Sequence, residues 1–289
     1  MGTNEYFLEE ATKAARSVRN SNPDLNIGII TSPELYGDAE DIPLFTHVIE
    51  ADEIYDDVRD KAYNLHLSPF ERTLYLDTDT HVIADIVEVF SLLDRFDIAL
   101  AHNPYRSICT LENVPESFPE FNGGVILYSG RIKEEFTRRW RRNIEKQVAN
   151  GRPNETITYG EADRLSEIPF GRIHDQPPLR ETIYNSDFKL ATLPREYNFG
   201  NNDCLYAGGT VKILHCGSEP GSVSRHINEK EIPRVLVRST GKIYHKDGAI
   251  IRYGLPLIHR IVAHPKSVSL LRYTGLFPFA KKLYKKVVG

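Results

Sequence analysis

The sequence predicts an α/β fold, one large domain with an appendage, and three observations predict it. Short apolar runs of strand length alternate with longer stretches of helical period along the first half of the chain. The apolar run Thr73 to Leu76 passes straight into two carboxylates, Asp77 and Asp79, with no Gly or Pro between them to make a turn. With 289 residues, 40% of them hydrophobic and 26% charged, the chain can bury a sizeable core without staples.

The elements follow in order. Tyr6 to Asn20 carries Phe7, Leu8, Ala11, Ala14, Ala15 and Val18 at helical spacing, and Asn26 to Thr31 is a short apolar strand. A second strand covers His47 to Ala51, and Val58 to Leu67 is helical. Thr73 to Leu76 is the strand that delivers the acids. Ile86 to Phe96 reads as a helix and Ile98 to Ala101 as a strand. Phe121 to Tyr128 is a strand that opens on Asn122, Gly123 and Gly124. A charged helix around Trp140 follows, in which Arg138, Arg139, Arg141 and Arg142 form a solvated face paired with Glu134, Glu135 and Glu145. After Gly151 the chain is less regular, with strands at Lys189 to Leu193 and Val211 to Leu214. The second of these ends in His215. No internal repeat or low-complexity segment interrupts the pattern.

Charge and cysteine content narrow the function classes. Beyond Asp247 there is no Asp or Glu but there are eight Lys or Arg, so with a net charge of −4 the remainder carries −12. Such a body is a poor nucleic-acid binder. Cys109, Cys204 and Cys216 are odd in number and lack CxxC spacing, which suits a reducing compartment. No apolar run approaches the roughly 18 residues that span a bilayer, and MGTNEYFLEEA has no signal-type core, so a cytoplasmic location is expected. In the basic tail, Leu276, Phe279, Ala280, Leu283 and Val287 recur at helical spacing with Lys281, Lys282, Lys285 and Lys286 around them. That pattern suits docking on an anionic membrane surface, and equally a terminal helix packed on the domain with its lysines in water.

The acids carry the chemistry. A strand that delivers two carboxylates at its carboxyl end places them where open α/β sheets bind ligands, and oxygen ligands so spaced can hold a divalent cation against a diphosphate. Either acid could instead cap the helix that begins near Asp85. His215 is delivered in the same way, and an imidazole beside two carboxylates favours Mn²⁺ somewhat over Mg²⁺. Gly123 and Gly124 let a backbone approach a ligand closely, or mark a bulge in the strand.

Four segments taken together, LYLDTDT, FNGGVILYS, HDQPPLRETIYNSD and ILHCG, resemble a GT-A type glycosyltransferase similar to glycosyltransferase family 8, the glycogenin-like and bacterial galactosyltransferase-like enzymes. The resemblance implies a single Rossmann-like domain with a mixed central sheet over residues 1–230, followed by a hairpin and basic helical extension over 231–289. It further implies a metal site of Asp77, Asp79 and His215 holding Mn²⁺ or Mg²⁺. Asp77, Asn122, Gly123, Gly124 and Lys61 would bind a nucleotide-diphospho-sugar donor, a UDP-sugar first among them. Asp175 and Gln176 would lie against the anomeric carbon, with retention of configuration. The acceptor hydroxyl would belong to a sugar, a lipid-linked glycan or a protein.

Two departures from that pattern stand out. The family's first strand should precede a helix such as Tyr6 to Asn20, and only MGTNE stands there. A Lys-Pro-Trp element should follow the ligand histidine, whereas this chain has HCGSEPGSVSRH, leaving Arg225 or the backbone amides of Gly217 and Ser218 to meet phosphate. Two other classes share parts of the pattern. One is a binding protein of this fold that has lost its donor. The other is a haloacid-dehalogenase-type phosphatase, which expects Thr or Val two residues after the second acid, where this chain has His81.

Overall fold

The computed structural model describes residues 1–103, 111–149, 174–200, 204–215, 226–229, 233–237, 242–245 and 250–252. Arg225, Gly217, Ser218 and the segment 276–289 lie outside the described residues.

Among the described residues the molecule is α/β with a mixed central sheet. Helix α1 (Glu5–Ser21) begins where the Asn4 side chain accepts a hydrogen bond from Phe7 N, and its apolar stripe buries Leu8, Ala11, Ala14, Ala15 and Val18. Strand β1 (Gly28–Thr31), short helix α2 (Tyr36–Glu40) and strand β2 (His47–Glu50) follow, with β1 and β2 parallel. Helix α3 (Arg59–Asn64) leads through a 3₁₀ turn to β3 (Arg72–Leu76) and then β4 (Thr80–Val82). Next come β5 (Ile98–His102), β6 (Phe121–Ser129), α4 (Lys133–Ala149), α5 (Gln176–Tyr184) and β7 (Leu190–Leu193).

The central sheet runs β3-β6-β5-β7, antiparallel at its first two pairings and parallel between β5 and β7. Strand β6 is buried along almost its whole length, as its unbroken apolar run requires for a strand covered on both faces. On one face α4 packs Phe136, Trp140 and Ile144 against Ile126 and Tyr128, and Leu179 and Ile183 of α5 join them. Each such side chain removed from water contributes roughly 1.5–3 kcal/mol. On the other face Val125 and Leu127 meet Val82, Ile86, Val89 and Ile213.

Three features differ from the sequence expectations. Ile86 to Phe96 forms 3₁₀ turns over Val87–Asp94 rather than an α-helix. Its β-branched Val87 and Val89 disfavour an α-helix, and Asp85 and Ser91 divert their side chains to local backbone groups. Strand β4 pairs with β9 (Ile213–His215), and Thr80 lies opposite His215. That pairing carries the histidine back to the acids. The third difference concerns the segment ahead of α1, where Gly2 forms a parallel bridge with Thr31 on the edge of β1 and donates its N–H to Ile30 O. An apolar cavity of about 360 Å³ is lined by Ile29 and Ile30 of β1, Leu74 and Leu76 of β3, and Phe70 among others.

A second sheet, β8 (Cys204–Ala207), β10 (Arg234–Val237), β11 (Lys242–His245) and β12 (Ile250–Arg252), runs in the order β12-β11-β10-β8, antiparallel throughout. Leu205, Leu236 and Ile243 face Val211 and Leu214, so this sheet buttresses the segment that holds His215.

Candidate metal centre

The site lies where the end of β3 and its turn into β4 meet the start of β6 and the end of β9. Asp77 follows β3 directly and its N–H bonds Gly124 O, which pins the carboxylate beside the start of β6. Asp79 lies two residues on, in the turn that Thr80 closes by donating its hydroxyl to Asp77 O over 2.7 Å. His215 ends β9. One ligand atom from each of Asp77, Asp79 and His215 lies within 4.8 Å of the others. Two hard oxygens and an imidazole at that spacing fit a divalent transition-metal ion, so the donor set suits the cation that the sequence implies.

The electrostatics of the cluster are lopsided. Lys61 Nζ lies 3.1 Å from each oxygen of Asp77 and 2.9 Å from Asp175 Oδ2, and it donates to Gly123 O at 3.3 Å. The contact with Asp175 is ionic, because Oδ2 is not aligned to accept a hydrogen bond. The one ammonium meets two carboxylates, Asp77 and Asp175, while Asp79 lies against the His215 ring, so carboxylates outnumber the ammonium and the surplus favours a further cation. Burial alone would raise the Asp77 carboxyl. Lys61, His215 and the Tyr75 hydroxyl, which donates to Asp77 Oδ1 over 2.6 Å, outweigh that and hold it below the usual carboxylate range. Burial pulls His215 down, but Asp79, 3.1 Å from Nε2, and the charge of Asp77 lift it above its ordinary value. Lys61 is lifted in the same sense, the desolvation cost being outweighed by Asp175 and Asp77.

The structure places the remaining sequence-predicted residues around this centre. Asp175 is buried just before α5 with Pro at the first turn, yet its side chain makes no cap hydrogen bond and turns to Lys61 instead. Its carbonyl accepts from Trp140 Nε1 at 2.9 Å, so the buried indole of α4 anchors the start of α5. Gln176 Oε1 accepts from Asn103, whose amide also donates to Glu120 Oε1 at 2.9 Å. Asn122 turns inward, where its Oδ1 accepts from Gly124 N and from Asn198 Nδ2, both at 2.8 Å.

The two glycines have a tighter explanation than approach by a ligand. A Cβ on Gly123 would sit 2.4 Å from Asp175 Oδ2, and one on Gly124 would sit 2.2 Å from His215 Cε1 and 2.9 Å from Asp77 Oδ2. Both leave room for the chain's own site residues. The arginines of α4 behave as a solvated face should, with Arg139 on Glu135 and Arg141 on both Glu145 and Glu53.

Sequence reasoning missed Tyr75, Asn103, Glu120, Trp140 as an anchor, and Asn198. Tyr75 looked like one more apolar strand residue. Asn198 stands in an irregular stretch after Pro194, where nothing in the sequence marks it.

The chain is similar in structure to solved glycosyltransferases. Against the glycosyltransferase GlyE of Streptococcus pneumoniae TIGR4 it aligns at TM-score 0.45 and 18% identity, over 68% of this chain and 46% of that one. It thus spans about half the length of GlyE. Mouse xyloside xylosyltransferase 1 in its apo form aligns at 0.44 and 14% identity, over 72% of this chain and 91% of that one. An active-site mutant of LgtC aligns at 0.43 and 14%, over 76% and 86%. No protein-family model matches the chain, and no curated protein matches it. No helix among the described residues is long and apolar enough to cross a membrane.

Proposed function

We propose that the protein is a metal-dependent glycosyltransferase that moves a sugar from a nucleotide-diphosphate donor, a UDP-sugar first among candidates, to an acceptor hydroxyl with retention of configuration. The observation that carries the reading is the convergence of Asp77 and Asp79, from the turn after β3, with His215, from the distant β9, on a cluster shared with Asp175 through Lys61. A divalent cation held by those three, Mn²⁺ ahead of Mg²⁺, would supply Lewis-acid stabilisation of the departing diphosphate.

The chain's own residues do the rest. Lys61 neutralises part of the carboxylate charge that would otherwise repel an anionic donor, and it fixes Asp175 relative to Asp77. Asp175 would orient sugar hydroxyls, since a carboxylate is a pure acceptor. Gln176 stands next to it, and its carbonyl oxygen retains a second lone pair beyond the one used by Asn103. That oxygen can stabilise positive charge at the anomeric carbon without forming an ester. Asn122 and the glycines form the wall behind the centre. Arg225 or the amides of Gly217 and Ser218 would meet phosphate from the segment after His215. Residues 1–230 would carry this chemistry, and residues 231–289 would form a hairpin and basic extension that brings a cytoplasmic enzyme to a lipid-linked acceptor.

The test is a screen of nucleotide sugars for Mn²⁺-dependent binding and hydrolysis. Metal-dependent binding with release of sugar supports a transferase. Binding without turnover would favour a non-catalytic donor-binding protein, and phosphate release from simple phosphoesters would favour a phosphatase.

A further inference from the structure

The wall of the metal centre contains a chain of hydrogen bonds whose direction is fixed from one end. It runs Gly124 N to Asn122 Oδ1 at 2.8 Å, Asn198 Nδ2 to the same Asn122 Oδ1 at 2.8 Å, and Asn198 Oδ1 to His215 Nδ1 at 2.9 Å. Side-chain amides and imidazoles can in general be turned either way round. Here they cannot. A backbone N–H only donates, so Asn122 must present its oxygen to Gly124. An amide oxygen only accepts, so Asn198 must present its NH₂ to Asn122, and this turns the Asn198 oxygen toward His215. The ring nitrogen that meets that oxygen must therefore carry a proton.

The consequence falls on the far side of the ring. With Nδ1 protonated, the neutral imidazole has its lone pair on Nε2, which lies 3.1 Å from Asp79 Oδ1. Two acceptors at that separation repel unless a proton or a cation lies between them. We propose that Asn198 is a positioning residue that, through its Nδ1 bond and its bond to Asn122, fixes His215 in the tautomer whose Nε2 ligates the metal. The assignment rests on the metal reading of the site for its purpose, though not for its geometry. The backbone supports the same arrangement. Phe199 N donates to Ile213 O at 2.9 Å and His215 N donates to Phe199 O at 3.0 Å, so the residue after Asn198 is clamped to the strand that carries the histidine. Asn198 is itself 9% exposed, which leaves its amide little freedom to turn.

Two readouts test this. In the metal-free full chain, at a pH where the ring is neutral, ¹⁵N NMR of His215 should report protonated Nδ1 and bare Nε2. Titration with Mn²⁺ alone, followed by electron paramagnetic resonance, should show affinity falling about ten- to a hundredfold in Asn198→Ala. Asn198→Asp keeps an acceptor facing Nδ1 but sets a second one against Asn122 Oδ1, so it should retain the Nδ1–H tautomer in the same NMR measurement while binding Mn²⁺ more weakly than the parent. If the parent ring carries its proton on Nε2, or if Asn198→Ala binds Mn²⁺ as tightly as the parent, the positioning role is overturned. A parent that ignores Mn²⁺ while showing the Nδ1–H tautomer would overturn the metal reading and leave the relay standing.

Discussion

Lys61 Nζ and Asp175 Oδ2 lie 2.9 Å apart, with both side chains less than a tenth exposed. The same ammonium contacts both oxygens of Asp77, so one cation from α3 ties the end of β3 to the start of α5. Removing it leaves two carboxylates uncompensated in a desolvated place. Lys61→Met is expected to destabilise the protein by about 3–5 kcal/mol, as breaking a buried ion pair from one side does. Adding Asp175→Asn should recover part of that loss. Urea unfolding of the single and double variants checks both statements, and additive losses would contradict the coupling.

The glycines give a sharper local test. In Gly124→Ala the new methyl meets the imidazole of His215 and the Asp77 carboxylate, neither of which can retreat without leaving the metal cluster. Overpacking of this kind costs about 1–3 kcal/mol. Affinity for Mn²⁺ should fall at least tenfold in that variant, and Gly123→Ala, which strikes Asp175 instead, should spare it. A reversed order of sensitivity, measured by calorimetry, would show that the two glycines had been assigned to the wrong neighbours.

The pH dependence has a definite sign. In the metal-free protein His215 is held above its ordinary value of 6.5 by Asp79 and Asp77, against the pull of burial. The stability it contributes is complete below 6.5 and is lost as pH rises through the folded value. Metal binding runs the other way, because ligation by the ring displaces a proton. Mn²⁺ affinity should therefore weaken as pH falls through that same value. His215→Gln should flatten both profiles. An affinity that is level from pH 5 to pH 9 in the parent, a window chosen about that ordinary value, would remove His215 from the ligand set.

Membrane docking is tested by deletion. The repeat of Leu276, Phe279, Ala280, Leu283 and Val287 among four lysines predicts that the intact chain co-sediments with anionic vesicles at low salt. Each lysine near such a surface contributes on the order of 1 kcal/mol, so loss of 276–289 should abolish sedimentation. Equal sedimentation of the two proteins, or none by either, would point to a soluble acceptor.

Much of this architecture is written in local pattern. The apolar run into Asp77 and Asp79, the continuous apolar runs of β5 and β6, and the stripe of α1 all report their burial directly, since a run and a 3.6 period are properties of neighbouring residues. Pairings between distant segments leave no such trace. Strand β4 is three residues long and pairs with β9 more than a hundred residues later, and nothing near Thr80 announces this. The network residues were hidden for the same reason. Asn198 and Glu120 matter through partners 76 and 17 residues away in sequence, and Tyr75 acts through a hydroxyl on a side chain whose ring reads as core. Gly123 and Gly124 were visible as unusual, but what presses on them became clear only once Asp175 and His215 were in place.

The metal-dependent donor site is tested by calorimetry of UDP-sugars binding to the parent and to Asp79→Asn, with and without Mn²⁺. Asp79 is 45% exposed on its side chain, so the substitution should leave the fold intact, as circular dichroism will show. The parent should bind a nucleotide sugar only when Mn²⁺ is present, and Asp79→Asn should lose this dependence along with most of the affinity. Donor binding of equal strength in both proteins, or binding indifferent to the metal, would contradict a metal-dependent site.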